Sequence, residues 1–153
     1  MRRFEFSLER VLRHKERAER QAELKQSQAL AHLRGVDAEV AAIRRRLDET
    51  AAGLEAKVGN KLDLAAWLAN YRMAERLQRE LSAAQQRRAA ALHALQEAAG
   101  QRKKKALEAE AIRHLRHRRK EQHDSAAAKA EQVALDEISL RRWLGAGEEG
   151  NKS

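Results

Sequence analysis

The feature that most constrains this chain is a stripe of apolar and small residues at alternating steps of three and four, with no proline anywhere in 153 residues. Such spacing places the residues on one side of a helix and is typical of coiled-coil seams. The first series is Phe4, Leu8, Val11, Ala18, Ala22, Ala29, Leu33, Val36, Val40, Ile43, Leu47, Thr50 and Leu54; the second is Leu64, Trp67, Tyr71, Ala74, Leu77, Leu81, Ala84, Arg88, Leu92 and Leu95, with weaker recoveries at Leu107, Ile112 and Leu115. Two long helices are therefore predicted.

Composition excludes a compact globular core. The chain has two Phe, two Trp and one Tyr, while 36% of its residues are charged. Burial of bulky side chains supplies most of the stabilisation of a globular domain, at roughly 1.5–3 kcal/mol for each large apolar residue. A chain with few bulky residues and abundant Ala, Glu, Arg and Leu is typical of long helices and coiled coils.

The pattern breaks convincingly at residues 58–61, where Gly59 suits the end of one helix and Asn60 or Asp63 can cap the next. The fold class predicted is all-α, a long two-helix antiparallel coiled-coil hairpin with an overhanging C-terminal helix. Helix one is predicted over about 6–58, the turn over 59–61 and helix two over about 62–144. The hairpin forms a single domain, 1–144, followed by a flexible tail, 145–153.

Helix two is the longer helix, so part of it lacks a partner within the hairpin. A fold-back centred near Asn60 predicts that Phe4 lies opposite Leu115 and that residues beyond about Arg116 are unpaired. This overhang carries Val133, Leu135, Ile138, Leu140, Trp143 and Leu144. Large exposed apolar surfaces usually mark interaction sites, so the overhang is predicted to bind a partner.

The positive charge is concentrated in one segment. Residues 101–120 hold nine Lys or Arg against two Glu, whereas the whole chain has a net charge of +9. A protein-docking or solvated face, a nucleic-acid site and an anionic membrane surface all fit such a segment. The segment has no aromatic residue on which bases could stack, so no nucleic acid is expected as a partner.

Sites for chemistry are not predicted. The absence of Cys excludes disulfides, thiolate zinc sites and Cys nucleophiles. Residues 145–150 (GAGEEG) match a dinucleotide-binding pattern but follow no strand, and the histidines near Glu110 and Glu121 lie among arginines that would repel a metal ion. We expect no catalytic residues, no metal, no cofactor and no enzymatic activity.

Trp67 and Tyr71 lie one helical turn apart, just after the break. Two interpretations stay open for this pair: packing at the tip of the hairpin, or an anchor for a partner. No apolar run reaches the about 20 residues that span a bilayer, and the charged N-terminus does not resemble a signal peptide. A cytoplasmic protein is therefore expected.

Three segments carry a family resemblance. They are residues 4–12 (FEFSLERVL), residues 59–60 (GN) with 67–71 (WLANY), and residues 135–142 (LDEISLRR). In this order and spacing, the chain resembles the FliJ family of flagellar export proteins.

The resemblance implies a non-enzymatic stalk and chaperone-like component of the flagellar type III export apparatus. Its partners would be the hexameric export ATPase, the cytoplasmic domain of the export-gate membrane protein and the export chaperones, at the inner face of the cell membrane. The implied ATPase-ring-binding residues are Phe4, Phe6, Leu8, Leu12, Ile138, Arg141, Arg142 and Trp143. The implied gate-binding residues are Ile43, Met73 and Leu77, with Trp67 and Tyr71 as a further interface.

Three alternatives stay open at this point. The equivalent stalk of an injectisome shares the same plan, and the opening motif is the main reason to prefer the flagellar branch. A nucleic-acid-associated basic coiled coil and a generic homodimeric scaffold would also fit the composition.

Overall fold

The computed structural model describes residues 2–57 and 63–150, and it is all-α. Helix α1 spans Glu9–Lys57 and helix α2 spans Leu64–Glu149. The two long helices pack against each other, and the described residues contain no strand. The predicted fold class is therefore confirmed, while the predicted turn over 59–61 lies outside the described residues.

The helix ends follow local capping chemistry. Before α1, residues 2–6 are non-helical, and the Phe6 carbonyl accepts a hydrogen bond from the Glu9 N–H at 3.1 Å. Before α2, the Asp63 carboxylate accepts hydrogen bonds from the N–H groups of Ala65 at 3.1 Å and Ala66 at 3.4 Å. Asp63 is thus a helix N-cap, which satisfies donors that the helix itself leaves free.

The far end of α2 is longer than the pattern predicted. The helix continues to Glu149 rather than ending at residue 144. Each glycine in this stretch disfavours helix by only about 1 kcal/mol relative to Ala, and Ala146, Glu148 and Glu149 are compatible with helix. The helix is also continuous through Gly100.

The chain divides into two compact units. Unit 1 combines Met1–Arg17 with Leu107–Ser153, and unit 2 is Ala18–Ala106. In each unit, an N-terminal part of the chain runs antiparallel to part of α2.

The core of unit 2 is a narrow apolar seam. Leu33 and Val36 of α1 are buried against Ala91 of α2, with Leu95 beside them. Leu77 is the largest fully buried side chain, at 1% exposure. Along one edge of this seam, Arg87 donates to Glu39 at 3.1 Å and Arg88 pairs with Asp37.

Unit 1 has a smaller core and more ion pairs. Its buried residues are Phe6, Leu12 and Ala109. Across this seam the following pairs form: Lys15 with Glu108 at 3.1 Å, Glu9 with Arg116 at 3.2 Å, and Glu16 with Arg113 at 3.3 Å. The unit is therefore stabilised by charge as well as by apolar burial.

The predicted register is wrong by about one heptad. Phe4 lies beside His123, with ring centroids 5.5 Å apart, and not opposite Leu115. The facing pairs in both units, such as Ser7 with Arg119 and Glu39 with Arg87, are symmetric about residue 63. An apolar seam repeats every seven residues, so a shift by one heptad leaves the apolar pattern intact, and the pattern alone does not fix the register.

Small residues occupy several seam positions that the pattern assigned to larger ones. Ala91 and Ala109 are buried, whereas Leu92 and Leu107 are exposed. Val11 is also exposed, and its neighbour Leu12 takes the buried position. Ala22, Ala84, Leu33, Val36 and Val40 are buried where the first and second series place them.

Two interior glycines offer a test of helix energetics. Gly35 and Gly100 lack positive φ, and a Cβ added to either would meet nothing within 4 Å. We expect Gly35→Ala and Gly100→Ala each to raise the free energy of unfolding by about 0.5–1 kcal/mol, because Gly is entropically unfavourable in a helix. Urea unfolding followed by circular dichroism measures this. The exposed Ala38→Gly is the matched control and should lower stability by a similar amount; a loss of stability in Gly100→Ala would contradict the continuous α2.

The pair of Lys15 and Glu108 offers a test of the register. Both side chains are about one-third exposed, so the pair contributes on the order of 1 kcal/mol or less. We expect Lys15→Glu and Glu108→Lys each to lower the midpoint of thermal unfolding, because like charges would then face each other. The double exchange should recover most of the loss. Additive losses in the double variant would show that these residues do not face each other.

Candidate protein-interaction surface

The main candidate surface is the C-terminal overhang, which we define as residues 128–149 of α2. Every residue of this segment is exposed. Its large apolar side chains are Val133, Leu135, Ile138, Leu140, Trp143 and Leu144, and Trp143 is 72% exposed. Soluble proteins rarely expose contiguous apolar surface of this kind unless it binds something.

The overhang presents apolar residues on more than one side of the helix. Val133, Leu140 and Leu144 are spaced by seven and four, so they share one stripe. Leu135 and Trp143 are separated from this stripe by more than one-quarter turn, because each residue advances about 100° around the helix. A helix that is apolar on several sides is usually enclosed by its partner rather than touched along one edge.

The N-terminal segment lies beside the beginning of this overhang. Phe6 is buried, and the Arg119 guanidinium lies over its ring at 5.7 Å. Arg119 also donates to the Ser7 hydroxyl at 3.1 Å. Phe4 packs on His123 and is half-buried. Cation–π and ring contacts of this kind contribute about 0.5–1 kcal/mol each when exposed, so they fasten the segment to α2.

The residues predicted to bind the ATPase ring therefore divide into two groups. Phe6 and Leu12 are buried between the N-terminal part and α2, and Phe4 and Leu8 are half-buried. Exposed in the overhang are Ile138, Arg141, Arg142 and Trp143. Unit 1 contains both groups, but only the second group is fully accessible.

The predicted gate-binding residues differ in exposure. Leu77 is fully buried, Ile43 is half-buried and Met73 is 38% exposed. Met73 is therefore the most accessible of the three. The neighbouring surface of unit 2 has a shallow groove lined by Leu47, Ala74, Glu75, Gln78 and Arg79.

Trp67 and Tyr71 stack on each other, with centroids 5.5 Å apart and planes inclined by 13°. Trp67 is half-buried and Tyr71 is exposed. Leu64 and Leu68 are exposed as well, and their spacing of four and three to Tyr71 places all three on one stripe. The sequence analysis did not single out these two leucines, because it assigned Leu64 to the seam.

The basic stretch is partly neutralised by α1. Arg113 and Arg116 pair with Glu16 and Glu9 in unit 1, and in unit 2 Arg102 lies 3.8 Å from Glu23 and donates to Gln26 at 2.9 Å. The sequence signal for these contacts was the heptad spacing of Glu9, Glu16 and Glu23. Lys103, Lys104, Arg118 and Lys120 are exposed. The segment is thus an ion-pair ladder with a limited free positive face, which disfavours a nucleic-acid groove.

Within residues 2–57 and 63–150, no group of three metal-binding side chains comes together. His117 instead lies 3.1 Å from Glu121, and His123 lies 3.4 Å from Asp124. Among the described residues, no helix is long and apolar enough to cross a membrane.

Comparison with known proteins gives one match. The family model described as "Flagellar FliJ protein" matches residues 4–148. No curated protein and no solved structure matches the chain. The match covers nearly the whole chain, including the N-terminal segment, the stacked aromatic pair and the overhang. The chain therefore belongs to the FliJ family, and it is a component of the flagellar protein export apparatus.

Proposed function

We propose that this protein is a non-enzymatic stalk of the flagellar export apparatus, whose terminal ends bind inside the hexameric export ATPase. It would also connect this ATPase to the export gate and to chaperones that carry export substrates. The observation that carries the proposal is the C-terminal overhang, a preformed helix with six large apolar side chains exposed to solvent.

The division of the ring-binding candidates suggests separate roles. Buried Phe6 and Leu12 hold the N-terminal segment against α2, and this contact positions the start of the overhang. The exposed Ile138, Arg142 and Trp143 then make the contacts with the ring. Trp and Arg are the side chains that most often dominate binding energy at protein interfaces.

Stimulation of an ATPase requires differential contacts. A bound protein shifts a conformational equilibrium only when it binds one state more tightly than the other. A helix that is apolar on several sides can contact different subunits of a ring at the same time. In the proposal, unequal contacts favour the closed form of some subunits and the open form of others.

The free cations of the basic stretch fit a role in encounter. Lys103 and Lys104 are exposed in unit 2, and Arg118 and Lys120 are exposed in unit 1. Exposed charges mainly change association rates and their salt dependence, rather than the final affinity. We propose that they steer the protein towards acidic surfaces of its partners.

The gate and chaperone contacts are assigned to unit 2. Met73 and Ile43 provide the accessible part of the predicted gate site, while buried Leu77 supports the surface beneath them. The exposed ring of Tyr71, stacked on Trp67, is an anchor of the type that proteins use at interfaces. Through these contacts the protein would lie at the inner face of the cell membrane.

ATP turnover of the cognate hexamer tests the ring contact. Turnover should rise when the full-length protein is added, and deletion of residues 135–153 should abolish the rise. The double variant Leu140→Ser with Trp143→Ala should reduce stimulation by about tenfold, the effect of losing roughly 1.4 kcal/mol of binding at subsaturating concentration.

Leu24→Ala is the matched control, since Leu24 is an equally exposed leucine of unit 2 outside the overhang. This variant should stimulate as well as the unaltered protein. If the overhang variants stimulate normally, or if Leu24→Ala is equally defective, the proposed ring contact is wrong.

A further inference from the structure

One side of the overhang carries charges in an order that is self-complementary. Asp136 lies three positions before Ser139 and Arg142 lies three positions after it. Lys129 and Glu149 lie ten positions before and after the same serine. In each pair, residues at equal distances from Ser139 have opposite charges.

These residues belong to one side of the helix. Steps of three and four along Ala128, Gln132, Leu135, Ser139, Trp143 and Ala146 define a single face, which we call the Ser139 face. Asp136 and Arg142 flank its centre, and Lys129 and Glu149 flank its ends. All of these residues are exposed.

The Ser139 face points away from the rest of unit 1. The side of α2 that contacts the N-terminal part includes Ala109, Arg116 and His123. Continued at the same spacing, that side passes through Ala130, Ala134, Glu137 and Arg141, about half a turn from the Ser139 face. A second helix on the Ser139 face therefore meets no obstacle from this chain.

The apolar residues of this face obey the same symmetry. Leu135 and Trp143 lie four positions before and after Ser139. Trp143 is the most exposed large apolar residue of the described chain, and Leu135 is half-exposed. In an antiparallel pair of overhangs, each Leu135 would lie level with Trp143 of the other copy, while the small Ser139 sits at the two-fold axis.

From this arrangement we propose that the occupant of the Ser139 face is a second copy of this chain, bound antiparallel through the overhang. Two-fold association brings residue i of one copy to residue j of the other and j to i. Each Asp136 then meets Arg142, and each Lys129 meets Glu149. A parallel pair in the same register would instead place identical charges side by side.

The free protein leaves these charges available for the contact. Asp136 accepts a hydrogen bond from the amide of Gln132 at 3.0 Å, an uncharged partner on the same helix. Across residues 2–57 and 63–150, no ion pair engages Arg142, Lys129 or Glu149. Pairing in the dimer therefore breaks no existing ion pair.

The dimer would compete with the ATPase ring, because both contacts use Arg142 and Trp143. The inference goes beyond the proposed function and does not depend on it. An association measured on the isolated protein tests the dimer, whereas ATP turnover tests the ring contact.

Sedimentation equilibrium of the full chain, over a wide concentration range, measures the association. The unaltered protein should be a monomer at low concentration and a dimer at high concentration. Asp136→Arg should weaken the dimer at least about tenfold, since two attractive pairs become repulsive. Arg142→Asp should do the same for the same reason.

An equimolar mixture of Asp136→Arg and Arg142→Asp should associate again, because the arginine introduced in one variant then meets the aspartate introduced in the other. Glu137→Arg is the matched control: it makes the same charge change one residue away, on the other side of the helix, and should leave the dimer intact. All variants should retain the helical circular dichroism of the unaltered protein.

Three outcomes would overturn the proposal. One is an unaltered protein that stays monomeric at every concentration. Another is a dimer that Glu137→Arg disrupts as strongly as Asp136→Arg does. The third is a mixture of the two charge variants that fails to associate.

Discussion

The cross-helix ion pairs determine which residues of the two helices face each other. In unit 1, Glu9 and Glu16 of α1 meet Arg116 and Arg113 of α2, and in unit 2 Glu39 meets Arg87. Each exposed pair contributes only a few tenths of a kcal/mol to about 1 kcal/mol. A register shifted by one heptad would instead bring Glu9 towards Glu110 and Glu39 towards Glu80. Like charges at these flanking positions oppose a pairing that the apolar seam alone permits. The charges therefore select the register, although apolar burial provides more of the stability.

This balance explains what could be predicted from the sequence. The all-α class, two long antiparallel helices and most of the buried seam of unit 2 follow from the three–four repeat, as do the buried positions of Val36, Val40 and Leu77. The register does not follow, because a repeat of seven cannot distinguish one heptad from the next. The choice of Ala91 over Leu92 does not follow either. Both residues lie close to the seam, and the rotation of the helix decides which one is enclosed.

The register also decides where the functional surface begins. Arg116 and Arg119 were expected in the unpaired region, but they bind Glu9 and Ser7 and belong to the packed part of unit 1. The exposed segment starts at residue 128. The apolar residues that make this segment a binding surface were correctly identified from their lack of a partner in the hairpin. The contacts of Phe4 with His123 and Phe6 with Arg119 were not predictable, because the N-terminal segment is non-helical and follows no heptad.

The overhang remains helical without a packed face, and this property matters for binding. The segment from 126 to 134 contains five alanines, the residue with the highest helix propensity, and Gln132 bonds to Asp136 one turn later. Its helix is also a continuation of a packed one, so the unfavourable nucleation of an isolated helix does not arise. A partner consequently meets side chains that are already arranged on defined faces, and binding does not require the ordering of a flexible segment. The stripe of Val133, Leu140 and Leu144 and the Ser139 face lie on different sides of the same helix. One short sequence can thus encode two binding surfaces, provided that the helix which separates them is stable before either partner arrives.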